Sequence, residues 1–525
     1  VTNAKGCRTI CAMSFNIRRV EDTPKRSEKW RKLLIGALEI GKPLVGWYGL
    51  WKQRRQVQLK HQRTTVLLKR TLLVLISVLC ALLLLAGTVK GLMSVQILNF
   101  GSIVSVAGAD LTYDEQGYVN ILLMGQGDED HDGKDLTDTL IVASIDPKNT
   151  RSVVLLSLPR DLYFLQTEKM GKGKINSFYR DYKSYLRYRE GMEPEAAGVE
   201  ALRELGAEVG RKLDMEIPYV IKVNFSAFTD TVDALGGVDI DVPEDILDTE
   251  YPNESYGYET FAIAQGPQHF DGATALKYAR SRHSTSDFSR SARQQQILRA
   301  IAQKAKDKGV AKDTGFLTKM AQSLSLNVET TMSLREIISL AELGRDIERD
   351  HIITMQLNDR NALYDGFVEQ GGFLYTPPRS LFDGVSVLLP VSIPEFPISW
   401  RQPRTLVKLL LNTRNAYLSN PRINILNNGA KSGSARKLAV ELIRYGFTVD
   451  TIANATLPQE QEKSMVFQTS EEEENTLALF FASLLHMELA AKPDALPFGE
   501  VADITIILGK DYSYAPLQNL LAPSS

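Results

Sequence analysis

The chain is poor in cysteine. Its three cysteines are Cys7, Cys11 and Cys80, all in the first 80 of 525 residues. Everything after residue 80 therefore forms no disulfide and must be held by its own apolar core. Cys7 and Cys11 stand without further Cys or His partners at metal-ligand spacing, which excludes a zinc-finger reading. No Gly-x-Gly-x-x-Gly and no Gly-Lys-Ser/Thr run occurs, which removes the common nucleotide-binding fingerprints. Acidic residues are missing altogether between Glu39 and Asp110. Residues 1–70 carry 17 Lys or Arg against 4 Asp or Glu, a net of +13, so the remainder carries −15 of the chain's total of −2. The two parts are built for different surroundings.

What separates them is Thr71 to Val89, nineteen residues without a charge. At about 1.5 Å per residue this run is long enough to cross a hydrocarbon core of about 30 Å. Arg54, Arg55, Lys60, Arg63, Lys69 and Arg70 precede it. The positive-inside bias then predicts a cytoplasmic N-terminus and an extracellular remainder. A cleaved signal peptide would sit nearer the N-terminus and end in small residues, so a signal anchor over 71–93 is expected. The same bias accounts for the basic tail, which has no helix-turn-helix pattern, and no nucleic-acid partner is expected.

Beyond a connector at 94–117, strand and helix patterns alternate. Val119 to Met124, Leu140 to Ile145, Ser152 to Ser157 and Tyr219 to Val223 are short apolar runs bounded by turn residues, the signature of buried strands. Asp146-Pro-Lys-Asn149 is a turn. Glu195 to Leu213 and Ala227 to Leu235 have helical spacing. A smaller unit at 404–515 repeats the alternation: strands at Arg422–Asn427, Phe447–Ile452, Met465–Gln468 and Ile504–Leu508, with helices at Ala435–Arg444 and about 473–488. The fold class is α/β: a single N-terminal transmembrane helix, a large mixed-sheet domain at 118–395 and a smaller C-terminal α/β module.

Polar residues concentrate at three predicted strand ends. The loop 127–139 holds Asp128, Asp130, Asp132, Asp135 and Asp138. It is either a site for a hard cation such as Mg²⁺ or a solvated acidic loop. Arg160 and Asp161 close the third strand, as a site or as a surface ion pair. Arg280, Arg282, Arg290 and Arg293 fall within 14 residues of an otherwise acidic region. Arg280 and Arg282 share a face if that stretch is extended. Arg290, Arg293 and Gln294 share one side of a helix starting near Ser289, where backbone N–H groups already favour anions. Guanidinium forks match phosphate oxygens, so a phosphate site is expected here; a basic solvated face is the alternative.

These stretches resemble the signatures of the LytR-CpsA-Psr family, in its order. They are Leu136-Thr-Asp-Thr139, Leu158-Pro-Arg-Asp161, Lys174-Ile-Asn176, Val232-Asp-Ala-Leu-Gly-Gly-Val238, Leu276-x-Tyr-x-Arg-x-Arg282 and Asp287-Phe-x-Arg-x-x-Arg-Gln-Gln295. The segment after 420 resembles the accessory LytR-type C-terminal domain. The resemblance implies a membrane enzyme that moves an anionic glycopolymer from a polyprenyl-pyrophosphate carrier to a peptidoglycan hydroxyl, with Mg²⁺ as cofactor. It implies phosphate binding by Arg160, Arg280, Arg282, Arg290, Arg293 and Gln294. Asp138 would hold the metal, and Asp161 or Asp287 would orient an arginine or accept the acceptor's proton. The family's earlier metal Asp is replaced here by Gly127, with Asp128 or Asp132 as substitutes. A polyprenyl-pyrophosphate phosphatase using water, and a non-catalytic wall-binding protein, are the rival readings.

Overall fold

A computed structural model describes residues 111–127, 136–163, 169–253, 257–281, 287–308, 327–333, parts of 336–350, 350–362, 366–391, 398–468, 476–496 and 502–521. All lie in the unit 67–525. Among the described residues no helix is long and apolar enough to cross a membrane; the span expected at 71–93 lies outside them.

The predicted apolar runs form the centre of a six-stranded sheet. β1 (Val119–Gln126) is antiparallel to β2 (Thr137–Asp146), which is antiparallel to β3 (Ser152–Leu158). β4 (Tyr219–Val223) lies parallel to β1 on the other side. The β2–β3 turn is held by the Asp146 carboxylate, which accepts from the backbone N–H groups of Lys148, Asn149 and Thr150 at 3.1, 3.0 and 2.8 Å. Both faces of the sheet are covered, which is why its strands read as continuous apolar runs rather than alternating ones.

On one face lie α1 (Ile175–Tyr188) and α2 (Pro194–Leu213). On the other lie α3 (Phe225–Ala234), α4 (Gly272–Arg280) and α5 (Asp287–Lys308). Between α3 and α4 the chain forms β5 (Val238–Val242) and β8 (Gly266–Phe270), paired with each other, and the hairpin of β6 (Ile246–Pro252) and β7 (Tyr258–Ile263). β9 (Val328–Thr330) and β10 (Ile352–Gln356) close the sheet at its two edges, beside β4 and β3. A small ladder of β11 (Leu374–Tyr375) and β12 (Leu389–Pro390) follows.

The C-terminal module begins with α6 (Arg401–Asn412) and α7 (Arg414–Ser419). Its five-stranded sheet holds β13 (Arg422–Asn427), β14 (Thr448–Asn454), β15 (Met465–Gln468), β16 (Glu488–Leu489) and β17 (Ile504–Leu508), in the order β14-β13-β17-β15-β16. α8 (Ser434–Arg444) and α9 (Thr476–Leu485) pack on it.

The module is not a loose appendage. Its core is continuous with the α1/α2 face of the large sheet. The Arg414 guanidinium, 2% exposed, lies 4.3 Å over the Tyr118 ring and donates to the carbonyls of Ser144 and Ser152 at 3.0 and 3.2 Å. Gly371 adds a second tie, its N–H donating to the Arg444 carbonyl at 2.8 Å. Only glycine serves there: φ is +77° and a Cβ would fall 1.9 Å from the Gln356 carbonyl oxygen.

Candidate functional site

The site lies at one end of the large sheet, where β1, β3, β4 and β10 finish and β2 begins, the end at which open α/β sheets bind ligands. Asp138 is the second residue of β2, so β2 starts three residues before the predicted run and carries the carboxylate out at the sheet end. Gly125 of β1 pairs with Thr139, the residue after Asp138, across the ladder. A Cβ there would come within 3.0 Å of the Thr139 Cβ, so the glycine permits the close approach that narrows this corner.

Arg160 follows β3 and reaches Asp138, Nη1 to Oδ1 at 3.2 Å. Asp161 is turned to Lys174, which donates from Nζ to its Oδ1 at 2.7 Å. The chain at 160–162 is fixed by the start of α1: Ile175 N donates to the Leu162 carbonyl at 2.8 Å and Asn176 N to the Arg160 carbonyl at 3.3 Å. Two N–H groups at the helix start are satisfied this way, without a side-chain cap. The Lys174-Ile-Asn176 signature thus holds Arg160 and Asp161 in place. The sequence displayed that motif, but nothing in its residue types gave it a role.

The arginines divide. Arg290, in the first turns of α5 and 4% exposed, lines a polar cavity with Asp138, Arg160, Asp161, Gln294 and Ser386. Arg280 lines a neighbouring cavity and lies 4.4 Å over the Phe225 ring. It is the last residue of α4, whose start is capped by Asp271 accepting from Thr274 N at 2.8 Å. The expectation of an extended stretch is therefore corrected at Arg280, which is helical. Arg293, expected to share the phosphate, lines neither cavity. It is 5% exposed and donates from Nε to the Tyr278 carbonyl at 2.9 Å and from Nη2 to the Ser281 carbonyl. These carbonyls belong to the C-terminal end of α4, where a cation is favoured. Burial lowers the Arg293 pKa, with the carbonyl cage and the Tyr278 ring in place of water. Gln295, beside Gln294, is also structural: its amide donates to Ser157 Oγ at 2.8 Å and to the Met355 carbonyl at 3.0 Å, bolting α5 to β3 and β10. Arg282, Asp128, Asp132 and the side chain of Asp287 lie outside the described residues.

The neighbouring cavity is apolar. Leu123, Ile141, Ile221, Phe228, Ile297 and Ile301 line it, between the sheet and α3, α4 and α5, and it measures about 880 Å³ including its open mouth. Thr139 and Gln294 line both cavities, so the cation-bearing pocket and the apolar one adjoin. Apolar runs and periodicity place these side chains on strands and helices without showing that a void remains between them.

Residues 100–373 match the LytR_cpsA_psr family, and residues 420–512 match the domain described as LytR cell envelope-related transcriptional attenuator. The chain belongs to the LytR-CpsA-Psr family. Three LytR-CpsA-Psr relatives illustrate the similarity. Polyisoprenyl-teichoic acid–peptidoglycan teichoic acid transferase TagV of Bacillus subtilis (strain 168) is 31% identical over 243 residues, 45% of this chain and 56% of its own length. The transferase of the same description named TagU in Bacillus cereus (strain AH820) is 31% identical over 230 residues, 43% of this chain and 65% of its own. TagU of Bacillus licheniformis is 27% identical over 282 residues, 53% of this chain and 79% of its own. The chain thus spans less than two thirds of the first two. Within the LytR-CpsA-Psr signatures, Asp138, Arg160, Asp161, Arg290 and Gln294 are brought to one pocket, while Arg293 and Gln295 support it from behind.

Proposed function

We propose that this protein transfers an anionic glycopolymer from a polyprenyl-pyrophosphate carrier to a hydroxyl of peptidoglycan, leaving a phosphodiester link. One observation carries the reading: a pocket bearing Arg160 and Arg290 adjoins an apolar cavity, with Thr139 and Gln294 in the lining of both. A lipid pyrophosphate is a molecule with those two halves. Forks of guanidinium beside a low-dielectric wall stabilise phosphate charge more than they would in water. The relatives, named polyisoprenyl-teichoic acid–peptidoglycan teichoic acid transferases, support the same substrate class.

In the proposed reaction the acceptor oxygen bonds to the phosphorus bearing the glycan. The bridging P–O bond of the pyrophosphate breaks, and polyprenyl phosphate leaves. The acceptor's proton passes to a carboxylate, Asp161 or Asp287. Arg160, Arg280 and Arg290 hold the phosphates and Gln294 orients them. Mg²⁺ belongs to the same proposal. It takes oxygen ligands and commonly uses only one or two carboxylates, with substrate phosphates completing its shell. Asp138 fits that chemistry: its side chain is 46% exposed at the pocket and Arg160 engages one oxygen, Oδ1. Among the described residues no group of three or more His, Cys, Asp or Glu converges. Bound there, Mg²⁺ would neutralise developing phosphate charge. Asp128 or Asp132 would supply a further ligand. The reaction is proposed to occur outside the cell, with the span at 71–93 holding the chain in the membrane and its N-terminus in the cytoplasm.

Incubation of the purified chain with Mg²⁺, a polyprenyl-pyrophosphate-linked glycan and peptidoglycan strands tests this. The expected product is a glycan–peptidoglycan phosphodiester detected by mass, with polyprenyl phosphate released in step. Release of free glycan phosphate at the same rate with and without peptidoglycan would make the protein a phosphatase instead.

A further inference from the structure

Residues 374–391 belong to neither matched region, yet they complete the polar pocket. The chain passes through a short 3₁₀ turn at Arg379–Phe382, reverses at Asp383 and Gly384, both with positive φ, and runs back along the site. Val387 and Leu389 are buried, 2% and 3% exposed, and anchor this stretch. The alternate residues Ser386 and Leu388 line the pocket, as the period of two in extended chain requires. Backbone bonds fix it to the Arg160–Asp161 loop on both sides: Leu388 N donates to the Asp161 carbonyl and Tyr163 N to the Leu388 carbonyl, each at 2.9 Å. Lys174 closes the clamp, donating to Asp161 Oδ1 at 2.7 Å and to the Ser386 carbonyl at 3.4 Å.

Phosphoryl transfer brings the attacking and leaving oxygens into line across phosphorus. If the lipid occupies the apolar cavity, the leaving polyprenyl phosphate points to Thr139 and Gln294, the two residues shared by both cavities. The acceptor must then approach from the part of the pocket that the apolar cavity does not touch. Asp161, Ser386 and Leu388 line the polar pocket alone. Ser386 is half-buried, and among the described residues nothing hydrogen-bonds its hydroxyl, while its carbonyl is taken by Lys174.

We infer that the segment 386–388 is the acceptor wall of the site, with the Ser386 hydroxyl a specificity-determining contact for the incoming sugar and the Lys174–Asp161 pair its positioning clamp. The inference rests on the transferase reading. It assigns the acceptor side to the stretch joining the two matched regions.

The test uses the full chain with Ser386→Ala and Ser386→Leu, with peptidoglycan strands as the acceptor probe and a polyprenyl-pyrophosphate glycan as donor. Ser386→Ala is expected to raise the acceptor KM about three- to tenfold, the worth of one hydrogen bond. Ser386→Leu, which fills the pocket, is expected to raise it more than about tenfold. In Ser386→Ala donor affinity stays within about twofold of wild type and the melting temperature within about 2 °C, since among the described residues the hydroxyl bonds nothing. An acceptor KM unchanged in both variants, or a donor affinity that falls in Ser386→Ala along with the acceptor's, overturns the inference while the transferase reading stands. A wild-type chain that binds donor but never joins it to the acceptor overturns the transferase reading, and the inference falls with it.

Discussion

Replacing Arg290 and Arg293 separately by alanine distinguishes a ligand-facing arginine from a structural one on adjacent turns of α5. Arg293 gives the α4 carbonyls of Tyr278 and Ser281 two buried, charge-assisted bonds. Each such bond is worth roughly 1.5–3 kcal/mol, part of which offsets the cost of keeping the guanidinium dry. Arg293→Ala is therefore expected to cost about 2–3 kcal/mol, and Tm to fall by about 4–6 °C on a scale of roughly 2 °C per kcal/mol for a chain of this size. Arg293→Lys keeps the charge but loses the fork that spans two carbonyls, so it recovers only part. Arg290→Ala removes a cation that faces the pocket. Donor affinity is expected to weaken about tenfold or more. Calorimetry on the apo chain and titration with polyprenyl pyrophosphate, both on both variants, read the two quantities independently. An Arg293→Ala variant of full stability that no longer binds the lipid would refute the assignment of that residue to the α4 end.

Asp138→Ala is expected to abolish Mg²⁺-dependent turnover with a small change in Tm, because the side chain is half-exposed and its only described partner is Arg160; an unchanged Mg²⁺ titration would remove it from the metal site. Arg414→Ala, which strips a buried cation from the Ser144 and Ser152 carbonyls and the Tyr118 ring, is expected to cost about 3 kcal/mol in denaturant unfolding, and an unshifted midpoint would show that the tie contributes nothing. Burial alone would raise the Asp146 pKa, but the N–H groups of Asn149, Thr150 and Lys148 hold it below the usual carboxylate value. Its stabilisation is present above the unfolded pKa of about 4 and is lost as pH falls through the depressed folded value. Asp146→Asn should thus be less stable than wild type at pH 7 and approach it as the pH is lowered below about 4, whereas urea midpoints that stay parallel as the pH falls would contradict the coupling.

Residue order by itself determined the strands that are buried on both faces. Tyr219–Val223, Arg422–Asn427, Met465–Gln468 and Ile504–Leu508 begin and end where their apolar runs do, because turn residues stop them and neither face offers water an edge. It also determined the family, through signatures whose residue types suit phosphate. What an arginine faces was not legible. Arg290 and Arg293 are three apart on one helix, and their spacing is the same whether a cavity or the end of α4 lies beside them. Tertiary packing alone made the apolar void, since a cavity is what a set of side chains fails to fill and no periodicity records it. It also brought Ser386 to within reach of Lys174, 212 residues earlier, by bonding an extended segment to the Arg160–Asp161 loop. Contacts of that separation follow from which surfaces pack together, and a local pattern carries no signal of them.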